Sequence, residues 1–331
     1  MLNNMTILVT GGTGSFGHHF VDYVIKHYGP KKIIIYSRDE YKQFVMSNDY
    51  KANEGILRFF IGDVRDEDRL RMAMRNVDYV IHAAALKQVP SCEYNPNEAI
   101  KTNVNGAMNV INASLEAGVK KVIALSTDKA VNPINLYGGT KLVSDKLFCA
   151  ANAYAGNGGT RFAVVRYGNV AGSRGSVIPF FQNIIDNGGR ELPITDYRMT
   201  RFWISLEQGV ELVIKALEES RGGETFISKI PSFKITDLAE AMLPGCVKKE
   251  VGIREGEKLH EVMVTREDSL HTYEYEKHFI IYPHYNWWGE KDIIPGGTLV
   301  EPEFEYSSGL NSQWLGVEQL KEKLKTDLDR H

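Results

Sequence analysis

The strongest constraint in this 331-residue chain is a rhythm. Through the first half, short runs rich in β-branched and aromatic residues alternate with stretches of helix length. TILVT (Thr6–Thr10), KIIIYS (Lys32–Ser37), LRFFIG (Leu57–Gly62), VDYVIHA (Val77–Ala83) and KVIALS (Lys121–Ser126) read as strands, and RFAVVRYGNV (Arg161–Val170) as a sixth. Helices are expected near 16–28, 39–52, 66–75, 97–117 and 136–155. Strands that are almost wholly apolar must be covered on both faces, and the intervening helices supply the cover. The pattern predicts a Rossmann-type, doubly wound parallel α/β sheet.

After about Val170 the rhythm changes. SRGSVIPFFQNII suggests a loop entering a helix, SLEQGVELVIKALEES (Ser205–Ser220) has helical periodicity, and irregular, aromatic-rich sequence follows. The expected organisation is a dinucleotide-binding domain over 1–170 and a smaller C-terminal lobe over 171–331. That lobe is mainly substrate-binding, with some segments returning to the first domain. It should pack at the sheet's C-terminal edge, where open α/β sheets bind ligands. The YNWW stretch from Tyr285 reads as packing or an oligomer contact rather than a sugar platform.

With 43% hydrophobic and 24% charged residues the chain can bury a sizeable core and is not a disordered polymer. A net charge of −3 gives no basic excess for a nucleic-acid surface. Cys92, Cys149 and Cys246 are scattered without a CxxC pair, which argues against a disulfide framework or a zinc site and suits a reducing compartment. No apolar run approaches membrane-spanning length, and MTILVTGG leaves no room for a signal peptide. A cytoplasmic protein without nucleic-acid or membrane partners is expected. The histidines, His18, His19 and His260 among them, lack metal-ligand spacing and read as surface or packing residues, so no metal is expected.

TGGTGSFG follows the first strand and opens the first helix. Alone, such glycines fit a tightly packed helix cap equally well. In this position Gly11, Gly14 and Gly17 permit a tight turn and close approach of a pyrophosphate to a helix N-terminus, with Thr13, Ser15 and Phe16 in the same turn. The end of the second strand reads YSRDEYK. Ser37, Arg38 and Lys42 suit the 2′-phosphate of NADP, although Asp39 keeps NAD open and Arg38 could be a solvated charge. Asp63 and Val64 in GDV are placed to touch adenine, though Asp63 could instead cap a helix. Ala83 and Val170, at other strand ends, join the cofactor set.

Tyr137 and Lys141 lie four apart on a predicted helix and share a face. A tyrosine titrates near 10, and a nearby ammonium favours its phenolate. Tyr137 could then take a hydroxyl proton as hydride leaves for a nicotinamide. Thr127 would bond the same hydroxyl, or else cap a helix. Asp128 and Lys129, just upstream, are not needed for hydride transfer and on their own could form a surface turn.

These residues carry a resemblance that spans nearly the whole chain. TGGTGSFG, YSRDE, FIGDVRD, HAAALKQVP, KTNVNGAMNVI, ALSTDKA, NLYGGTK, RYGNVAGSRGSVIP, PITD, MTRFW, GIREGEKLHE and FEYSS resemble the inverting UDP-N-acetylglucosamine 4,6-dehydratases of the extended short-chain dehydrogenase/reductase superfamily. The likeness is nearest to the branch serving pseudaminic-acid synthesis. It implies that Lys129 removes the C5 proton of a 4-keto sugar while Asp128 protonates the departing C6 hydroxyl. Lysine can act so only if its ordinary value near 10.4 is depressed by burial or a neighbouring cation.

The resemblance further implies that Asn169, Arg174 and Arg254 meet the diphosphate, Glu257 the uridine ribose and Thr195 the uracil, with Lys87 between cofactor and sugar. Arg201 could bind or form a structural ion pair. UDP-N-acetylglucosamine, NADP and a homo-oligomer, often a hexamer, are the implied partners. The rivals are a 4-epimerase, which needs no C5 base, a retaining dehydratase, which typically has Glu at position 129, and a non-catalytic dinucleotide sensor, which can dispense with Tyr137 and Lys141.

Overall fold

The computed structural model describes residues 1–156, 159–173, 175–285 and 293–328, so Arg174 and most of the YNWW stretch lie outside it. The first six strands are β1 (Thr6–Thr10), β2 (Lys32–Ser37), β3 (Leu57–Ile61), β4 (Tyr79–His82), β5 (Lys121–Thr127) and β6 (Arg161–Tyr167). They lie in the order β3-β2-β1-β4-β5-β6, all parallel. Side chains alternate across the pleat, and both faces are buried. Ile7, Val9, Ile33 and Ile35 belong to one apolar core, while Leu8, Ile34 and Tyr36 belong to the other.

The second half adds β7 (Glu191–Ile194), β8 (Thr200–Phe202), β9 (Thr225–Ser228), β10 (Ser232–Lys234), β11 (Val247–Glu250), β12 (Val262–Val264), β13 (Thr272–Glu274), β14 (His278–Ile281), β15 (Thr298–Leu299) and β16 (Tyr306–Ser307). β9 joins the large sheet parallel to β6, and β14, β13 and β15 continue it antiparallel, giving ten strands among the described residues. The remaining strands form three two-stranded sheets. The β8–β10 and β7–β11 pairs, with helices Val177–Asp186 and Ile235–Met242, build a smaller lobe around a separate core that includes Phe181, Trp203, Phe233 and Leu238, whereas Met263, Val264 and Tyr306 of the β12–β16 pair join the core that holds Ile7 and Val9.

Several predicted elements are shorter by a few residues at their ends, and two differ in ways that bear on the site. The expected helix over 97–117 is three pieces: Pro96–Ile100, a π-helical turn over Lys101–Asn105, and Gly106–Ala117. The π turn brings Asn103 round to bond Leu86 through both its amide atoms (2.8 and 2.9 Å) and Thr140 (3.0 Å). The sixth strand stops at Tyr167, because the chain must then turn to bring Asn169 across to the β5 end.

Candidate active site

Every chemically distinctive residue expected from the first half sits at or just beyond the C-terminal end of a parallel strand, or on the helix facing those ends. β1 runs into the glycine turn, and helix Ser15–His27 starts from Gly14 with no side chain capping it and no acid in its first turn. Its free backbone N–H groups and positive dipole end therefore face the cleft, which is what a pyrophosphate requires. Gly17 does not line the cleft. Its role is proximity: a Cβ there would lie 2.0 Å from the Gly12 carbonyl oxygen, so only glycine lets helix and strand end meet.

A cleft of about 560 Å³ opens over these ends. Gly11, Thr13, Gly14, Ser15 and Phe16 line it beside Ser37, Arg38, Lys42, Asp63 and Val64. Ala83, Lys87, Tyr137, Lys141 and Val170 close its other side. Ser37 bonds Thr13 at 2.9 Å, and Arg38 reaches toward Asp63 at 3.6 Å while staying half exposed. Asp39 caps helix Glu40–Asp49 through the Lys42 amide and pairs with the Lys42 ammonium. Asp63 caps no helix: it accepts bonds from Arg65, and Asp66 performs the capping next along.

A second cleft, about 610 Å³, adjoins the first and reaches into the lobe. Thr195, Arg254 and Glu257 line it, and Lys87, Lys129 and Asn169 line both clefts. Arg254 stands over the Phe180 ring, and Glu257 turns a buried carboxylate oxygen that has no protein partner. Apart from Gly17, and from Arg174, which is outside the described residues, the ligand residues expected from the sequence are thus gathered along two adjoining clefts.

At the junction stands the turn that follows β5. Thr127 accepts from the Lys129 amide at 3.3 Å, capping the short 3₁₀ turn Asp128–Ala130, and gives its own proton to Asp128 Oδ1 at 2.9 Å. Lys129 Nζ donates to the same Asp128 oxygen and to Asn169 Oδ1, both at 3.0 Å. Asp128 is buried behind them, and its second oxygen has no partner. This is no solvated surface turn. Tyr137 and Lys141 are both buried on helix Leu136–Ala155, which faces the turn.

Charge balance at the junction departs from expectation in two ways. Burial and Arg201 do pull Lys129 downward, as a base would need, but the Asp128 and Glu261 carboxylates outweigh them and hold Lys129 above the ordinary lysine range. Burial also pushes Tyr137 up to about 12, and the cation that pulls it back is Lys129, helped by the Thr127 hydroxyl. Lys141 is lowered by burial, against the opposing pull of Asp145.

Glu261 is the residue that sequence reading missed. It lies 3.8 Å from Lys129 Nζ and 3.5 Å from Arg201 Nε, so Arg201 forms an ion pair. Glu261 follows the KLH triplet inside a stretch already singled out, but nothing local says that it returns to Lys129. Among the described residues no cluster could hold a metal ion, and no helix is long and apolar enough to cross a membrane.

A protein family described as "Polysaccharide biosynthesis protein" matches residues 7–283. A protein of Campylobacter jejuni named UDP-N-acetylglucosamine 4,6-dehydratase (inverting) is 57% identical, with 97% of each chain covered. One of Rickettsia akari named UDP-glucose 4-epimerase is 43% identical, covering 98% of this chain and 97% of its own. The X-ray structure of Pen from Bacillus thuringiensis superposes with a TM-score of 0.89 at 36% identity, over 99% of each chain.

Proposed function

The chain belongs to the polysaccharide biosynthesis protein family and, within it, to the inverting UDP-N-acetylglucosamine 4,6-dehydratases, and from that premise we propose how its site works. It converts UDP-N-acetylglucosamine to UDP-2-acetamido-2,6-dideoxy-β-L-arabino-hex-4-ulose. The observation that carries the reading is Lys129, standing where the two clefts meet with Asp128 bonded behind it and Tyr137 lining the first cleft beside it.

The first cleft fits a nicotinamide dinucleotide, because its helix N-terminus is uncapped by any side chain and free of acids. Held there, such a cofactor would supply the hydride chemistry, an oxidation at C4 and a return of the same hydride at C6. NADP is the form we favour. Ser37, Arg38 and Lys42 line the cleft at the end of β2; Asp39, the acid that NAD would need, lines it too, but both its oxygens are engaged, one capping a helix and the other pairing with the Lys42 ammonium.

The protein's own groups handle the protons. Tyr137 accepts the proton of the C4 hydroxyl, which Thr127 helps to orient. Oxidation at C4 makes the C5 hydrogen acidic, and Lys129 removes it. Asp128 gives a proton to the hydroxyl leaving C6. The protons taken from O4 and C5 balance those given to the leaving water and returned to C5, so the reaction loses only water. In the second cleft Asn169 accepts from Lys129 through its carbonyl, which leaves its amide protons for the diphosphate. Arg254 supplies charge there, Glu257 offers an oxygen to the ribose, and Thr195 lines the uracil side. The reading extends to a cytoplasmic homo-oligomer serving surface-sugar synthesis of the pseudaminic-acid kind.

The name of the Rickettsia relative raises 4-epimerisation as a second reading, and one experiment separates them. The protein is incubated with UDP-N-acetylglucosamine in deuterated water and the earliest product is examined by NMR. A 4-keto-6-deoxy sugar of L-arabino configuration, with deuterium at C5, is expected. A C4 epimer that keeps its C6 hydroxyl would overturn dehydration, and a D-xylo product would overturn inversion. Dinucleotide released on denaturation should be NADP; NAD alone would overturn that choice.

A further inference from the structure

Two carboxylates, not one, confine Lys129. Asp128 lies on its own turn, and Glu261 reaches it from the segment that enters β12. Glu261 is buried, and its backbone is fixed on both sides: its N–H donates to Ser308 Oγ at 2.9 Å, and its carbonyl accepts from the Ser308 amide at 2.8 Å. Arg201, itself buried on β8, approaches the same Glu261 oxygen, Oε1, that faces Lys129, and donates to the Thr200, Leu259 and Lys258 carbonyls. One oxygen each of Asp128 and Glu261 has no partner. Asp128, Lys129, Glu261 and Arg201 alternate in sign, and Lys258 approaches the same carboxylates, so no charge here is buried alone.

We propose that Glu261, anchored by Arg201, is a positioning residue that keeps the one mobile proton of the Asp128–Lys129 pair on Lys129 until substrate occupies the site. The proposal rests on the dehydratase reading. A single transfer along the 3.0 Å bond from Nζ to Asp128 Oδ1 then breaks one N–H bond and forms one O–H bond. Ammonium and carboxylate become amine and carboxylic acid together. The amine lone pair takes the C5 proton, and the new acid gives its proton to the leaving C6 oxygen. No outside proton is needed, and neither form is ready before the other.

The groups facing Lys129 are Asp128 from its own turn, Glu261 and Lys258 from the segment before β12, Arg201 from β8 and Tyr137 from helix Leu136–Ala155. Removing the Glu261 charge takes away an anion that favours the ammonium, so Lys129 must deprotonate at lower pH. If the resting enzyme needs that proton, activity is lost on the alkaline side sooner.

The test uses the full chain with ¹³C-labelled lysine, the Lys129 resonance being assigned by its loss in Lys129→Met. Glu261→Gln should lower the Lys129 titration midpoint by about one unit or more, and Glu261→Asp, which keeps the charge, should restore much of that shift. The alkaline limb of kcat/KM should move the same way, with KM for UDP-N-acetylglucosamine little changed. An unmoved midpoint in Glu261→Gln overturns the proposal, as does a limb that stays put while the midpoint moves. A shifted midpoint in a protein whose wild type forms no dehydrated sugar would uphold the charge placement and overturn the dehydratase reading instead.

Discussion

At the residue scale the two halves of the chemistry share one cation. Tyr137 must accept a proton, yet burial holds its phenol up at about 12, and Lys129 is the largest influence pulling it down. Tyr137→Phe should therefore cost about 10²- to 10⁴-fold in turnover, since the hydroxyl acts on a moving proton, while UDP affinity measured by calorimetry stays nearly unchanged. Lys129→Ala should do two things: abolish deuterium uptake at C5, and slow C4 oxidation because Tyr137 loses its cation. Turnover of Tyr137→Phe close to wild type would assign the base elsewhere. These side chains were legible because their spacing is local: a tyrosine and a lysine one helical turn apart, and an acid and an amine adjacent at a strand end. Glu261 was not. Its partners Lys129 and Arg201 come from distant segments, and only the folding of the lobe onto the β5 end brings the three together.

At the scale of elements, the site depends on how closely helix Leu136–Ala155 approaches the turn after β5. Gly138 sets that distance: a Cβ there would stand 2.0 Å from the Lys129 carbonyl oxygen and 3.1 Å from Pro133. Gly139, its neighbour, has nothing within 4 Å of the same position. Gly138→Ala must therefore push helix and turn apart, costing about 1–3 kcal/mol in stability and displacing Lys129 from the sugar. Gly139→Ala should be neutral or stabilise by up to about 1 kcal/mol through helix propensity. Thermal unfolding and turnover of the two variants check this, and equal behaviour would remove the steric argument. Helix Leu136–Ala155 itself was legible to the residue, because Asn135 caps its start and Gly156 follows its last residue. The π turn at Lys101–Asn105 was not: its KTNVN sequence is poor in helix formers, but weak propensity does not distinguish a π turn from an ordinary helical turn held by packing.

At the scale of the whole molecule, the parallel half of the sheet was readable from its long β-branched runs, whereas β9, β13, β14 and β15 span only two to four residues each and show no periodicity. Pairing to an existing edge, not their own sequence, makes them strands. The buried parallel sheet also creates a pH liability. His82 lies on β4 in the middle of the sheet, fully buried, with Nδ1 2.9 Å from Thr10 Oγ1 on β1 and its ring 5.4 Å from Phe148. Burial, with the Lys141 charge adding to it, lowers its titration to about 3, against about 6.5 in an unfolded chain. Since the folded value is the lower one, the unfolded chain binds the proton first. The stability gained from burying a neutral imidazole is therefore complete above about pH 6.5 and drains away as pH falls toward about 3. Between pH 7 and pH 5 this amounts to about 2 kcal/mol. Carboxylates also titrate on the acid side, so the histidine's share must be isolated by difference. Urea unfolding of wild type and His82→Gln at pH 7 and pH 5 does so: the wild type should lose about 2 kcal/mol more than the variant over that interval. Parallel losses in the two proteins would mean that His82 titrates in the folded state as it does in the unfolded one, and that the sheet's centre admits a proton its packing should exclude.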